Sequence, residues 1–279
     1  MLKKIGCLLF AVALILSLAS CAGKEESITV LTREDGSGTR GAFVELFELK
    51  SEDGGDAIKA DAEVKNATSV ILTSVAGNKN SIGYISLGSL NDTVKALKID
   101  GVTPSAENVA NGSYKVSRPF IIAHMDTLSD AAQDFINYIL SNQGQDIIDK
   151  NGYVKMTATG DYTPGTASGK VVIGGSSSVS PVMEKLKEAY ESVNPDISVE
   201  IQTSDSSTGL LSAISGVYEI AMSSRELKES ETSAGLLPTV IAIDGIAVIV
   251  NKENSLSNIK KEQVSEIYKG EITVWSNVG

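Results

Sequence analysis

Cysteine, histidine and tryptophan are nearly missing from this sequence, with 2 Cys, 1 His and 1 Trp in 279 residues. Both cysteines, Cys7 and Cys21, lie near the start, so the body of the chain carries neither a disulfide nor a thiolate metal site. The one histidine, His124 in IIAHMDT, has no Cys, second His or acidic cluster at metal-ligand spacing, and it reads as a structural or surface residue. A serine nucleophile would lack an obvious base, and no G-x-S-x-G elbow is present. Positive charge is short as well: 24 Lys and Arg stand against 35 Asp and Glu, a formal charge of −11. Such a surface repels nucleic acid and anionic lipid headgroups. There is no GxxxxGK followed by Ser or Thr, so a phosphate-binding loop of the nucleotide type is not implied. These absences leave stability to core packing, and leave any anion to be held by local dipoles and hydrogen bonds.

The only long apolar run is at the start. MLKKIGCLLFAVALILSLAS has basic residues Lys3 and Lys4, an apolar stretch and small residues at its end, the pattern of an export signal over 1–20. Leu18-Ala19-Ser20-Cys21 resembles the lipobox of bacterial lipoproteins, in which the chain is cut before the cysteine and that cysteine takes the lipid. The expectation is a protein outside the cytoplasmic membrane, anchored to it through lipid on Cys21, with 21–27 as a tether. An uncleaved membrane helix is the alternative, but the stretch is short against the roughly 20 residues a span needs.

Beyond the tether, strand and helix signals alternate. ITVLT reads as a strand, GAFVELFELK as a helix, SIGYISLGSL as strand and turn, VKALKI as strand, SAENVANGSY as a capped helix and SRPFIIAH as strand. NATSVILTSVAGNK reads as helix or loop. Residues 127–152 carry apolar side chains at helical spacing, with Ser129 as cap and Gly152 as stop. TATGDYTPGTASG, residues 157–169, breaks the rhythm and reads as a linker. The alternation then restarts through KVVIGG, SPVMEKLKEAYESV, ISVEIQT, YEIAMSS, the long β-branched TVIAIDGIAVIVNK and the helical KKEQVSEIYKG. The order is α/β, with length for two domains.

One local pattern recurs. LTREDGSGTRGAF (31–43), GGSSSVSP (174–181) and SDSSTG (204–209) each place small hydroxyl residues between a strand and a helix, and AMSSREL adds Ser223 and Ser224 at a strand end. Each loop offers backbone N–H groups at a positive helix end. In a parallel α/β sheet such loops gather at the carboxyl ends of the strands, which suggests one anion site; independent helix caps facing different ways are the alternative. Ser, Thr, Gly and Arg can hold an oxyanion but supply little to transform it.

Together GGSSSVSPVMEKL, SDSSTGLLSAI, YEIAMSSREL, TVIAIDGIAVIVN, IYKGEITVW, LTREDGSGTR, IGYISLG and SRPFIIA resemble the phosphate-binding lipoproteins of the Pst-type phosphate ABC transporter. The resemblance implies an α/β two-lobed periplasmic-binding-protein (Venus-flytrap) fold with crossover strands, and inorganic phosphate in the cleft. It implies contacts from Ser178 and the Val179 amide, from Ser206 and Ser207, and from Ser224, where some relatives have an Asp that accepts the proton of the phosphate. Arg33 is implied as the charged clamp, Ser37, Gly38 and Thr39 as donors, and Asp35 as the group that orients Arg33. The halves are in reverse order relative to that family, so the chain reads as circularly permuted, a rearranged gene model being the alternative. One lobe would then be 28–113 plus 247–279 and the other 114–246, with 157–169 joining the family's usual ends. Permutation of this kind places Ile28 near Gly279.

The implied partners are phosphate, the membrane permease of the transporter and the membrane through Cys21. No nucleic acid, metal or cofactor is implied, and the protein is expected to be a monomer. The alternatives are a binder of another tetrahedral oxyanion such as sulfate or molybdate, and a phosphoryl-transfer enzyme.

Overall fold

The computed structural model describes residues 27–52 and 54–278. The export signal over 1–20, Cys21 with the tether to residue 26, and Gly279 lie outside the described residues. In chain order the elements are β1 (Thr29–Arg33), α1 (Gly38–Leu46), β2 (Glu63–Lys65), α2 (Thr68–Gly77), β3 (Ser81–Ser86), β4 (Val94–Ala96), β5 (Lys98–Ile99), α3 (Ala106–Ala110), β6 (Ser117–His124), α4 (Asp130–Leu140), α5 (Asn142–Lys150) and β7 (Val154–Lys155). They continue with β8 (Gly169–Ser176), α6 (Ser180–Val193), β9 (Ile197–Ser204), α7 (Ser206–Ile214), β10 (Ile220–Ser223), α8 (Glu229–Ser233), β11 (Leu237–Asn251), β12 (Asn258–Ile259) and α9 (Lys261–Lys269). Among the described residues no helix is long and apolar enough to cross a membrane.

β11 organises the molecule. Its first part pairs antiparallel with β6, from Leu237 opposite His124 to Gly245 opposite Ser117, and its second part pairs with β3 and β4. A single sheet order, β2-β1-β3-β11-β6-β10-β8-β9, therefore runs through both halves. The nearly unbroken apolar run of this strand follows from its burial between neighbours on both sides. On each side of β11 the outer strands are parallel: β1 with β2 and β3, β8 with β9 and β10. Two cores form. One gathers residues of 28–116 and 246–278, with Phe43 stacked on Tyr84 at 3.9 Å and edge-on to Tyr268; the other gathers residues of 120–242 around Phe120, Phe135 and Tyr190. These two bodies are called the first and second lobes below. The segment before β6 crosses beside β11: Tyr114 Oη donates to the Ile246 carbonyl, and Ile246 N donates to the Val116 carbonyl.

The sequence pattern differs from the structure in several places, and VKALKI, expected as one strand, is split into β4, which pairs with β11, and β5, which pairs with β12. The helical run after Ser129 is two helices, because Ser141 adopts an extended backbone that ends α4 and its side chain accepts from Gly144 N to start α5. The polar stretch after Arg225 contains the short helix α8, which no apolar periodicity announces. The 157–169 segment is docked rather than loose. Tyr162 Oη donates to Asp134 Oδ2 at 2.6 Å, its ring lies edge-on to Tyr138, and Asn142 N donates to the Gly160 carbonyl. At the chain ends, Ile28 N donates to the Thr273 carbonyl at 2.8 Å, and Ile28 and Val278 share the first core.

Candidate functional site

The carboxyl ends of β1, β8, β9 and β10 meet where the two lobes face each other, and each runs into one of the small-residue loops. Ser178 Oγ of the second lobe lies 2.8 Å from Thr39 Oγ1 and 3.1 Å from Thr68 Oγ1, both of the first. Ser224 Oγ is 2.9 Å from Ser176 Oγ, 3.3 Å from Thr39 Oγ1 and 3.4 Å from Ser206 Oγ, and Ser224 N donates to Ser206 Oγ. All of these hydroxyls are buried. Hydroxyls tolerate such crowding because each both donates and accepts, and the same freedom lets each turn its proton toward an anion. Gly38 is required here: a Cβ on it would lie 2.4 Å from Ser206 Oγ and 2.8 Å from Ser224 Oγ, both in the opposite lobe.

Arg33 ends β1 and is almost fully buried. Its Nε and Nη2 donate to the two oxygens of Glu34 at 2.8 and 2.6 Å, Nη2 also donates to Ser177 Oγ, and Nη1 donates to Thr68 Oγ1. The bidentate carboxylate fixes the plane of the guanidinium. Asp35, expected to orient Arg33, does not do so. Its side chain is exposed and pairs with Arg40 Nη1 at 2.6 Å, in a turn closed by Ser37 N donating to the Glu34 carbonyl. Glu34 takes the orienting role.

A second arginine enters from the crossover. Arg118, on β6, is opposite Asp244 of β11 and pairs with its carboxylate; Arg118 Nη2 donates to Thr39 Oγ1 at 2.8 Å. Both side chains are buried. Burial pulls the Arg118 guanidinium down from its ordinary value and pushes the Asp244 carboxyl up, each against the attraction of the other.

Of the residues singled out from sequence, Arg33, Gly38, Thr39, Ser178, Ser206 and Ser224 converge. Three others have engagements of their own. The Val179 amide donates to the Ser176 carbonyl, Ser37 Oγ caps Arg40 N, and Ser207 Oγ accepts from Arg225 Nη2 while its amide reaches across to the Gly36 carbonyl at 3.2 Å. Ser176, Ser177, Thr68 and Arg118 were not singled out. The first two stand in the GGSSSVSP string, Thr68 opens an apolar helix, and Arg118 precedes Pro119, which holds it extended within a buried strand. Among the described residues no group of three or more His, Cys, Asp or Glu is placed to hold a metal ion.

This geometry can be set beside known proteins. Residues 11–143 and 160–279 match the sequence model of the PBP superfamily domain. The chain is 49% identical over 271 residues to phosphate-binding protein PstS 2 of Streptococcus agalactiae serotype V, spanning 94% of this chain and 92% of that one. The crystal structure of a phosphate-binding protein of a phosphate ABC transporter from Streptococcus pneumoniae TIGR4 superposes with a TM-score of 0.72 at 42% identity, covering 91% of this chain and 100% of that one. Phosphate-binding protein PstS of Borreliella burgdorferi is 36% identical over 109 residues, 39% of each chain.

Proposed function

We propose, for a chain that belongs to the PBP superfamily and within it to the PstS phosphate-binding proteins, that it captures inorganic phosphate between its lobes and delivers it to the permease of a phosphate ABC transporter. The observation that carries this reading is the meeting of Thr39 and Thr68 of one lobe with Ser178, Ser206 and Ser224 of the other, beside the fixed guanidinium of Arg33. The chain is a binder rather than an enzyme. Its hydroxyls replace the hydration of the ion, the N-termini of α1, α6 and α7 and the guanidinium offset its charge, and the crossover at β11 is the hinge about which the lobes close. Phosphate contacts are assigned to Arg33, Gly38, Thr39, Ser178, Ser206 and Ser224, with Ser37, the Val179 amide and Ser207 at the rim. The protein works outside the cytoplasmic membrane as a monomer held by lipid on Cys21.

Ser224 favours a second reading. Where the resemblance leads one to look for a carboxylate that accepts the phosphate proton, a hydroxyl stands, and a hydroxyl donates to unprotonated sulfate equally well. Titration calorimetry with phosphate, sulfate and molybdate at one pH separates the two. Phosphate binding that the others do not displace supports the first reading, and tighter binding of sulfate or molybdate replaces it. Release of phosphate from a generic phosphate ester would overturn the assignment as a binder.

The unusual order of the halves is read as a natural circular permutation. Three observations support this: the S. agalactiae relative keeps the same order along nearly its whole length, the Borreliella relative matches only one part, and Ile28 hydrogen-bonds Thr273 within one lobe. The lobes are then 28–113 plus 247–279, and 114–246. A gene that fuses residue 278 to residue 28 and opens the chain near residue 163 is expected to yield a folded binder with unchanged phosphate affinity; an insoluble or non-binding product would reject the permutation.

A further inference from the structure

We propose that Arg118 is a second guanidinium contact for the bound anion and that Asp244 is its positioning residue. This rests on the phosphate reading above. Arg118 stands at the floor of the interlobe site, where its Nη2 touches Thr39 Oγ1, the same oxygen that meets Ser178 and Ser224. The side chain is only 4% exposed, yet its Nε has no hydrogen-bond partner. A guanidinium carries five N–H donors, and a buried one left short of acceptors is costly. Arg33 provides the contrast, with Glu34, Thr68 and Ser177 accepting from all three of its nitrogens. Arg118 has one carboxylate, one hydroxyl and a donor to spare, which suits an anion that arrives among the hydroxyls.

A purely structural role is the competing account, since Arg118 and Asp244 are cross-strand neighbours at the junction of β6 and β11. That role does not need charge. A buried ion pair can be exchanged for apolar side chains of similar volume without loss of stability, whereas removal of one partner strands the other. Asp244 holds the fork in place: its Oδ2 takes Nη1 while its Oδ1 accepts from Gly88 N, tying the arginine to the first lobe. The other face of the guanidinium carbon lies 5.0 Å from the Phe120 ring centroid, which blocks a swing into the second core.

The test is calorimetry with inorganic phosphate on the wild-type protein, Arg118→Met, the double variant Arg118→Met with Asp244→Leu, and Arg118→Lys, with a melting curve for each. Arg118→Met is expected to melt lower and to lose affinity by about 100-fold or more. The double variant is expected to regain the melting temperature while keeping the affinity loss. Arg118→Lys preserves a partner for Asp244 but not the planar fork, so it is expected to fold normally and bind about 10-fold more weakly. Recovery of wild-type affinity in the double variant, or affinity within about threefold of wild type in Arg118→Lys, overturns the proposal. Wild-type protein that binds no phosphate would instead defeat the underlying functional reading.

Discussion

The two faces of the cleft differ in kind. The first lobe brings charge, with Arg33 clamped by Glu34 and backed by Arg40, whose Nη1 donates to the Arg33 carbonyl. The loops of the second lobe bring only hydroxyls to the meeting point, those of Ser176, Ser177, Ser178, Ser206 and Ser224, and its one guanidinium there, Arg118, comes from the crossover strand β6. A charged face attracts and orients an anion, while a face of rotatable hydroxyls adapts to it without a large desolvation penalty on closing. The difference teaches how a chain with so acidic a composition can hold an anion. Each guanidinium at the site is already paired with a carboxylate, Arg33 with Glu34 and Arg118 with Asp244, so the attraction is local and little affected by moderate salt.

The sharpest way to break this comparison is Arg33→Ala. It leaves Glu34 uncompensated at the edge of the site, and phosphate binding is expected to weaken by about 3–5 kcal/mol in calorimetry; unchanged affinity would mean that the hydroxyl face suffices alone. A second test loosens the charged face by pH. Tyr84 accepts from the Arg33 amide, and burial pushes its hydroxyl up to about 12. Because the folded value lies above the unfolded one near 10, the stabilisation is complete below pH 10 and is lost as pH rises from 10 toward 12, about 2–3 kcal/mol in all. Thermal melts across that range are expected to show a fall that Tyr84→Phe makes shallower.

Closure itself is probed by Gly38→Ala, whose new methyl would press on Ser206 and Ser224 of the opposite lobe. The lobes are then held apart, and phosphate binding is expected to weaken by about 1–3 kcal/mol while the melting temperature in the absence of phosphate is kept. The smallest effect belongs to the hydroxyl face. Ser224→Ala removes one neutral partner among several, for an expected loss of about 1 kcal/mol. A loss as large as that of Arg33→Ala would erase the distinction between the two faces.

Much of the site was legible because the motifs are short and contiguous. DGSGT, GSSSV and DSSTG each announce a strand end, a helix start and hydroxyls in between, and the structure brings Thr39, Ser178 and Ser206 to one place. What escaped was side-chain direction and pairing at a distance. Glu34 and Asp35 are adjacent carboxylates with equal claim on Arg33, and only the direction of the loop chooses between them. Arg118 had no local sign of function, because the residues that give it meaning, Thr39 and Asp244, lie far away in the chain. The 157–169 segment looked unanchored for the same reason: Asp134, Tyr138 and Asn194, which receive Tyr162, belong to other elements.

By itself the sequence determined the alternation of strands and helices, the small-residue loops between them and the acidic, cysteine-poor character of the body, because these follow from local propensity, periodicity and composition. Only the tertiary structure decided which carboxylate serves which arginine, which hydroxyls touch, and that a guanidinium from a crossover strand reaches the same floor. Those outcomes depend on side-chain direction and on contacts between residues as many as 185 positions apart, and no local pattern carries that information.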